Sequence, residues 1–169
     1  VFDLPRLPKI MVVVGGGYIA IEFAGIFNGL GVEVHQVYRG DVLLRHFDMS
    51  VREVITEEVA RKGVKLALGT NVVAIEKSAA GRLQVQLTNG SPIAADAVLY
   101  ATGRTPNFQD LGLENVDLRL TAKGTVDVDD YYQSSVPSIY AVGDVIHTQE
   151  LTPVALAEGM AFARRQFGS

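Results

Sequence analysis

The sequence contains no cysteine among its 169 residues. This absence excludes disulfide bonds, thiolate metal sites and a cysteine nucleophile within the chain. No apolar run approaches the roughly 18 residues that a membrane-spanning helix requires. The first nine residues, VFDLPRLPK, lack the basic region and the apolar core of a signal peptide. We therefore expect a cytoplasmic protein with no membrane partner.

Blocks of basic residues are also missing. The net charge is −4, the pI is about 5.3, and charged residues make up 20% of the chain. Because nucleic-acid binding requires a broad basic face, we expect no nucleic-acid partner. Apolar residues make up 48%, which is typical of a globular protein with one good core or two small ones. The first residue is Val, not Met, so we expect a piece of a longer protein.

The pattern of apolar residues predicts an α/β fold built on a Rossmann-like parallel sheet. Residues 10–14 form a β-branched run typical of a strand buried on both faces. A helix should follow, and residues 32–37 should form a second parallel strand. The helix is predicted from one apolar stripe, which comprises Ile19, Phe23, Ile26, Phe27 and Leu30.

The next segment predicts a second helix, a third strand and a small meander. The helix should begin near Asp48 or Ser50, where Ser50 and Glu53 have capping-box spacing, and end at Gly63. Residues 64–68 should form a third parallel strand. From residue 71 the apolar period changes to two, and Asn89 with Gly90 is typical of a hairpin turn, which indicates an antiparallel meander. Residues 97–101 should return to the parallel sheet.

A change of composition after Gly103 predicts a domain boundary. The residues that follow, RTPNFQDLGLEN, are typical of loops. Short strands are expected at residues 126–128 and 139–142, with a final helix from about Pro153 to Phe167. We therefore divide the chain into residues 1–103 and 104–169.

The turn after the first predicted strand has the spacing of a dinucleotide-binding fingerprint. Gly15, Gly17 and Ala20 fit G-x-G-x-x-(G/A). In this motif the first glycine permits a tight turn, the second lets a pyrophosphate approach the backbone, and the third small residue lets helix and strand pack closely. The amide groups at the helix start bind the phosphates. The sequence thus predicts a dinucleotide site.

The residues after the second strand favour NADP over NAD. A site selective for NAD has an acidic residue at the end of this strand, where it binds the ribose 2′-hydroxyl. Here the only acidic candidate, Glu33, lies at the beginning of the strand, whereas Arg39 follows its end and Arg45 lies six residues further on. Two guanidinium groups are suited to a 2′-phosphate. Two solvated loop arginines are the alternative interpretation.

Several motifs together resemble the flavoprotein pyridine nucleotide-disulfide oxidoreductases, and within that family most closely the glutathione reductases. They are GGGYIAIEFAG, VYRGDVLLRHFD, YATGRTPN, IYAVGDV and LTPVALAEG, in family order and at family spacing. The resemblance implies that residues 1–103 are the NADP(H)-binding domain and residues 104–169 the returning segment of the FAD-binding domain. It also implies NADPH, FAD and a disulfide as ligands of a full-length homodimer.

The resemblance also assigns roles to individual residues. Tyr18 resembles a gate over the nicotinamide pocket, and Glu22 the carboxylate at the nicotinamide end of the cofactor. The expected pyrophosphate contacts are Gly15, Gly16, Gly17, Ile19 and Ala20, the 2′-phosphate contacts are Arg39 and Arg45, and further nucleotide contacts are Gly103 and Arg104. For the flavin, the resemblance implies contacts from Asp144, Glu150 and Thr152. No metal site is expected.

Parts of that family's machinery have no counterpart in this sequence. There is no redox-active cysteine pair, and His35, His46 and His147 do not match the family's catalytic histidine. We therefore expect that the chain alone does not reduce disulfides. A trypanothione, mercuric or lipoamide-type relative, or a nucleotide-binding module without catalysis, remains an alternative. A short-chain dehydrogenase is disfavoured because no tyrosine is followed by lysine four residues later.

Overall fold

The computed structural model describes residues 1–79, 81–146 and 149–168, so His147 lies outside the described residues. The chain divides into two compact units, Val1–Gly103 and Arg104–Ser169. Among the described residues, no helix is long and apolar enough to cross a membrane.

The first unit is a parallel sheet combined with an antiparallel meander. The sheet has the order β3-β2-β1-β7, with every neighbouring pair parallel, and the meander has the order β4-β5-β6. The α/β class and the meander are thus confirmed. The elements are β1 (Ile10–Val14), α1 (Tyr18–Gly29), β2 (Glu33–Val37), α2 (Met49–Arg61), β3 (Lys65–Ala67), β4 (Val72–Lys77), β5 (Leu83–Leu87), β6 (Ile93–Ala95) and β7 (Ala97–Tyr100).

The strand β1 lies between two apolar clusters, one on each of its faces. Met11 and Val13 pack with the buried face of α1, whereas Val12 and Val14 pack with buried residues of the meander. Successive side chains of a strand point to opposite faces, so the continuous apolar run fills both layers. A strand covered on both faces was expected from the sequence and is confirmed.

The buried face of α1 differs from the predicted stripe. Ala20 and Ala24 are fully buried and Phe27 is 7% exposed, whereas Ile26 is 54% exposed and Leu30 is 59% exposed. The prediction of a stripe through Ile26 and Leu30 was therefore wrong. The helix packs on β1 through small residues, and small residues at a contact let backbones approach closely.

The second helix begins where its capping residue predicts. Asp48 is the N-cap, and its Oδ1 accepts a hydrogen bond of 2.9 Å from the backbone N–H of Ser50. The Ser50 hydroxyl donates to the same oxygen, so Asp48, not Ser50, caps the helix. Hydrogen bonds from the Ser50 hydroxyl and backbone lower the pKa of the Asp48 carboxyl.

The second unit has little regular structure apart from its last helix. Two 3₁₀ turns, at Leu113–Asn115 and Gly143–Val145, precede the helix α3 at Thr152–Phe167. The predicted final helix is confirmed. The predicted strands at 126–128 and 139–142 form only isolated bridges, to Leu120, Ser134 and Gln133. As continuous strands they were wrong, because none of these runs has a neighbouring ladder among the described residues.

A single carboxylate fastens the beginning of β1 to the turn between β6 and β7. Asp96 Oδ2 accepts hydrogen bonds of 2.9 Å from the backbone N–H groups of Lys9 and Ile10. Arg82 Nε lies 3.5 Å from Asp96 Oδ1. The hydrogen bond from Ile10 is the largest cause of the lowered pKa of Asp96. This contact sets the register of β1 beside β7.

The lowered pKa of Asp96 predicts a loss of stability in acid. A carboxyl whose folded pKa is lowered stabilises the fold above its unfolded pKa, about 3.9, and this contribution disappears as the pH falls through the folded value. We expect Asp96→Asn to lower the free energy of unfolding at pH 7 and to reduce its decline below pH about 4. Urea unfolding at several pH values measures both effects. The exposed Asp3→Asn serves as a control, and equal acid profiles of Asp96→Asn and the parent would contradict the expectation.

Candidate nucleotide-binding site

The first glycine of the fingerprint lies where β1 ends between its two neighbouring strands. Gly15 has φ of +144°, and a Cβ there would overlap the backbone carbonyl of Ala101. Its N–H donates to the carbonyl of Val37 at 2.9 Å. The glycine is therefore required both by its backbone conformation and by the close approach of the chain after β7.

Gly16, the second glycine of the run, is confined by the side chain of Tyr38 and by a hydrogen bond from Leu44. A Cβ at Gly16 would lie 2.5 Å from ring atoms of Tyr38. The Gly16 carbonyl accepts a hydrogen bond of 2.7 Å from the backbone N–H of Leu44. The sequence did not point to Tyr38 or Leu44, because Gly16 is the unspecified position between the two glycines of the fingerprint.

The third glycine forms the open side of the turn and begins the helix. Gly17 is the N-cap of α1 with φ of −85°, and a Cβ there would meet nothing within 4 Å. In the described part of the chain, the N–H groups of Gly16 and Gly17 have no hydrogen-bond partner. Unpaired N–H groups at the positive end of a helix form a site for an anion such as a phosphate.

Ala20 closes the fingerprint on the buried side. It is fully buried, and its Cβ would lie 3.2 Å from a Cβ placed on Gly15. A larger side chain here would push α1 away from the turn. Ile19, beside it, is half-buried. These positions fit the mechanical reasons that the fingerprint gives for small residues.

Tyr18 and Glu22 lie one helical turn apart at the start of α1. Tyr18 is 41% exposed, and Glu22 is exposed. Residues at i and i+4 share a helix face, so the ring and the carboxylate lie on the same side of α1 as each other. The structure therefore places the two side chains on one face of α1, at its first turn.

The two arginines belong to a loop that is anchored at its middle. Leu43 is fully buried and Leu44 is 8% exposed, and Leu44 donates to the turn as described above. The guanidinium group of Arg52 on α2 donates to the carbonyls of Leu43 and Val42, at 2.9 and 3.0 Å. Arg39 and Arg45, on either side of this anchor, are exposed. Sequence reasoning missed the anchor, although two leucines inside a polar loop are a visible signal for it.

The remaining charged residues of β2 lie at the other end of the strand. Glu33 Oε1 accepts a hydrogen bond of 2.7 Å from Lys65 Nζ and lies 2.8 Å from His35 Nε2. The hydrogen bond from Lys65, followed by that from His35, lowers the pKa of Glu33. Glu33 begins β2, whereas Arg39 follows its end. No carboxylate of this strand therefore occupies the position that favours NAD.

A buried glutamine lies directly behind the glycine turn. Gln36 is fully buried in β2, and its Nε2 donates to the Gly15 carbonyl at 3.0 Å. Its Oε1 has no hydrogen-bond partner among the described residues. A buried polar atom left unpaired costs about 1 to 3 kcal/mol. Sequence reasoning did not single out Gln36, because the resemblance assigns it no role.

In the second unit the structure brings two of the expected cofactor residues together. Arg104 Nε lies 3.7 Å from Asp144 Oδ2, and both side chains are exposed. Thr152 is the exposed first residue of α3, and Glu150 is half-buried shortly before it. Gly103, which ends the first unit, has φ of +138°, a conformation that favours glycine.

Glu158 on α3 holds the turn that carries Asp144. It is 6% exposed, and its Oε2 accepts a hydrogen bond of 2.6 Å from the N–H of Gly143. Gly143 itself has φ of +75°. Sequence reasoning missed Glu158, although a single carboxylate within the apolar run VALAEGMAFA indicates a buried polar contact. Its effect is to fix the 3₁₀ turn at Gly143–Val145 to the helix.

A cavity of about 380 Å³ also lies in the second unit, lined by acidic residues that include Asp127, Asp129 and Glu158. None of the expected flavin contacts lines it. Among the described residues, no group of three or more His, Cys, Asp or Glu side chains is placed to hold a metal ion.

Comparison with known proteins gives consistent matches along the chain. The family model of the pyridine nucleotide-disulphide oxidoreductases matches residues 2–159. The chain is 53% identical to a glutathione reductase from Burkholderia cepacia over 99% of its own length and 37% of that protein. It is 46% identical to the chloroplastic/mitochondrial glutathione reductase from Pisum sativum, over 98% of its length and 30% of that protein.

A solved structure gives the same result for the fold. The HOCl-induced flavoprotein disulfide reductase RclA from Escherichia coli has a TM-score of 0.89 to this chain with 28% identical residues. The match covers 99% of this chain and 38% of that one. The chain therefore spans less than two fifths of the length of the relatives it matches.

The contrast between adjacent glycines predicts two different outcomes. We expect Gly16→Ala to destabilise the protein by roughly 1 to 3 kcal/mol, because the new Cβ collides with the half-buried ring of Tyr38. Gly17→Ala should change stability by less than about 1 kcal/mol, because its backbone conformation suits alanine and the space is open. The Gly17 variant should instead weaken NADPH binding, since its methyl group occupies the open side of the turn.

Urea unfolding and calorimetric titration measure the two quantities, and each variant is the matched control of the other. Equal losses of stability in both variants would contradict the packing described for Tyr38.

Proposed function

Because the chain belongs to the pyridine nucleotide-disulphide oxidoreductase family, we propose that it is the NADPH-binding part of a flavin-dependent glutathione-disulfide reductase. Its second unit then supplies the returning segment of the FAD-binding domain. The observation that carries this proposal is the glycine turn at the end of β1, with its unpaired N–H groups and the anchored arginine loop beside it.

The residues of the first unit fit NADPH. The N–H groups of Gly16 and Gly17 and the start of α1 bind the pyrophosphate. Arg39 and Arg45 bind the 2′-phosphate, because guanidinium groups form strong charge-assisted hydrogen bonds with phosphate oxygens. Tyr18 covers the nicotinamide pocket until the cofactor enters, and Glu22 contacts its nicotinamide end. Gly103 lets the chain pass close to the bound nucleotide.

The residues of the second unit fit part of a flavin site. FAD, when bound, supplies the electron acceptor for a hydride from NADPH. Asp144, held in position by the 3₁₀ turn that Glu158 anchors, accepts a hydrogen bond from a ribityl hydroxyl. The positive end of α3 at Thr152 suits the flavin edge that gains negative charge on reduction. Arg104 and Glu150 complete the proposed contacts.

The electrons leave this chain for groups that its sequence does not contain. A disulfide substrate requires a thiol pair, and these 169 residues include no cysteine. The thiols, a homodimeric assembly and the catalytic histidine are therefore proposed for other parts of the protein. We also propose a cytoplasmic location for this protein. The similar protein from Pisum sativum is named chloroplastic/mitochondrial, so members with this sequence pattern occur in more than one compartment.

A second candidate is another flavoprotein disulfide reductase. Its support is the TM-score of 0.89 to the reductase RclA, at 28% identity. The higher identity to glutathione reductases, 53% and 46%, supports glutathione disulfide as the substrate. The arginine pair supports NADPH over the NADH that a lipoamide-type enzyme uses.

Removal of the arginine pair tests the choice of cofactor. We expect the parent chain to bind NADPH more tightly than NADH. Replacement of both residues, Arg39→Ala with Arg45→Ala, should remove most of this difference, on the order of 1 to 3 kcal/mol, because charge-assisted hydrogen bonds to the 2′-phosphate are lost. Isothermal titration calorimetry with both nucleotides provides the measurement.

The variant Arg6→Ala, which removes an exposed arginine remote from the turn in sequence, is the control for net charge. Equal affinities of the parent for NADPH and NADH would contradict the proposed cofactor. A preference that survives the double replacement would contradict the assignment to Arg39 and Arg45.

The absence of cysteine predicts that the chain alone lacks disulfide reductase activity. We expect no oxidation of NADPH at 340 nm when glutathione disulfide and FAD are added to the purified chain, because no thiol pair receives the electrons. The assay with a full-length glutathione reductase is the positive control. Sustained NADPH-dependent formation of glutathione by these 169 residues would show that the proposed division of labour is wrong.

A further inference from the structure

The inference concerns Gln36, the buried residue behind the glycine turn, and it rests on the proposed function. We propose that Gln36 is a positioning residue that orients the first peptide group of the turn, so that the Gly16 N–H is directed at the cofactor's pyrophosphate. Nothing in the fingerprint requires a polar side chain at this place in β2.

Hydrogen bonds to two carbonyl groups set the directions of the N–H groups in the turn. In a planar trans peptide the C=O and the N–H point to opposite sides. The Gly15 carbonyl accepts a hydrogen bond of 3.0 Å from Gln36 Nε2, so the N–H of Gly16 in the same peptide points away from Gln36. The Gly16 carbonyl is held at 2.7 Å by the Leu44 N–H, so the Gly17 N–H points away from the arginine loop.

The N–H groups of Gly16 and Gly17 together form a site for an anion. Neither has a partner within the described residues, whereas the Gly15 N–H is already used by Val37. Two adjacent, unpaired N–H groups at the start of a 12-residue helix form a concave anion site. Their directions are fixed before a ligand arrives, because both carbonyls are held. A preformed site loses less free energy on binding than one that must first be ordered.

The side-chain oxygen of Gln36 indicates that the residue is there for its nitrogen. Its Oε1 is buried and has no hydrogen-bond partner among the residues that the structure describes, an arrangement that natural cores generally avoid. An apolar residue at this fully buried position would avoid that defect. The opposite amide orientation would set two acceptor oxygens against each other. Local rules of folding are most often broken at functional sites, so we assign the amide to what its nitrogen does for the turn.

The test compares ligands with and without a pyrophosphate. We expect Gln36→Met, which keeps length and apolar packing but removes the donor, to weaken NADP⁺ binding by about threefold to tenfold, the range of one net hydrogen bond. Adenosine 2′-monophosphate keeps the 2′-phosphate but has neither a 5′-phosphate nor a pyrophosphate, and its affinity should change by less than about twofold. A merely structural role would weaken both ligands alike.

Titration calorimetry on the full 169-residue chain measures both ligands, and Gln86→Met, at a half-buried strand position of the meander, is the matched control. Equal losses for both ligands, or no loss for NADP⁺, would overturn the inference. If the parent chain binds neither ligand, the proposed function fails instead. In that case the NMR signals of the Gly16 and Gly17 amides still decide the inference, which requires them to shift in Gln36→Met.

A second variant restores the hydrogen-bond donor to the Gly15 carbonyl only at low pH. In Gln36→Glu the side chain can donate to the Gly15 carbonyl only while its carboxyl is protonated. We expect its NADP⁺ affinity, relative to the parent at the same pH, to improve as the pH falls. A Gln36→Glu affinity that does not improve relative to the parent as the pH falls would contradict the positioning role. This series also covers the case in which Gln36→Met does not fold.

Discussion

The pairing of β1 with a parallel neighbour on each side is the constraint on which the first unit depends. Its five residues align in register with β2, and four of them align with β7. Its side chains contribute to both apolar clusters. The glycine turn follows this central strand. It lies between the carbonyl of Val37, which accepts a hydrogen bond from Gly15, and the carbonyl of Ala101, which a Cβ at Gly15 would overlap. The site is therefore built on the most deeply buried part of the fold.

Much of this arrangement is predictable from the sequence, because it follows from local patterns. The β-branched run predicts β1, the change of period predicts the meander, and the spacing of the glycines predicts the turn. The stripe on α1 was misjudged because side-chain size was taken as a guide to burial. The close contact at Ala20 and Ala24 instead selects small residues, and this selection depends on the neighbouring strand.

The contacts that support the site were not predictable, because each joins residues distant in sequence. Gln36 reaches back 21 residues to Gly15, and Glu158 reaches back 15 residues to Gly143. A single polar residue in an apolar run indicates that a partner exists, but it does not identify the partner. The roles of Tyr18, Glu22 and the flavin contacts depend on ligands, so neither a pattern nor a backbone defines them.

The two ends of β2 differ in charge, in a protein whose net charge is −4. Glu33 is neutralised by Lys65 at one end, and the exposed arginines follow the other. Glu33 and Val37, at the two ends of β2, are about 13 Å apart at about 3.3 Å per residue, which exceeds the screening length of about 8 Å at physiological salt. The charges of the arginines after the strand are therefore largely screened from the carboxylate at its beginning, so the two ends of one strand present separate local charges to the solvent.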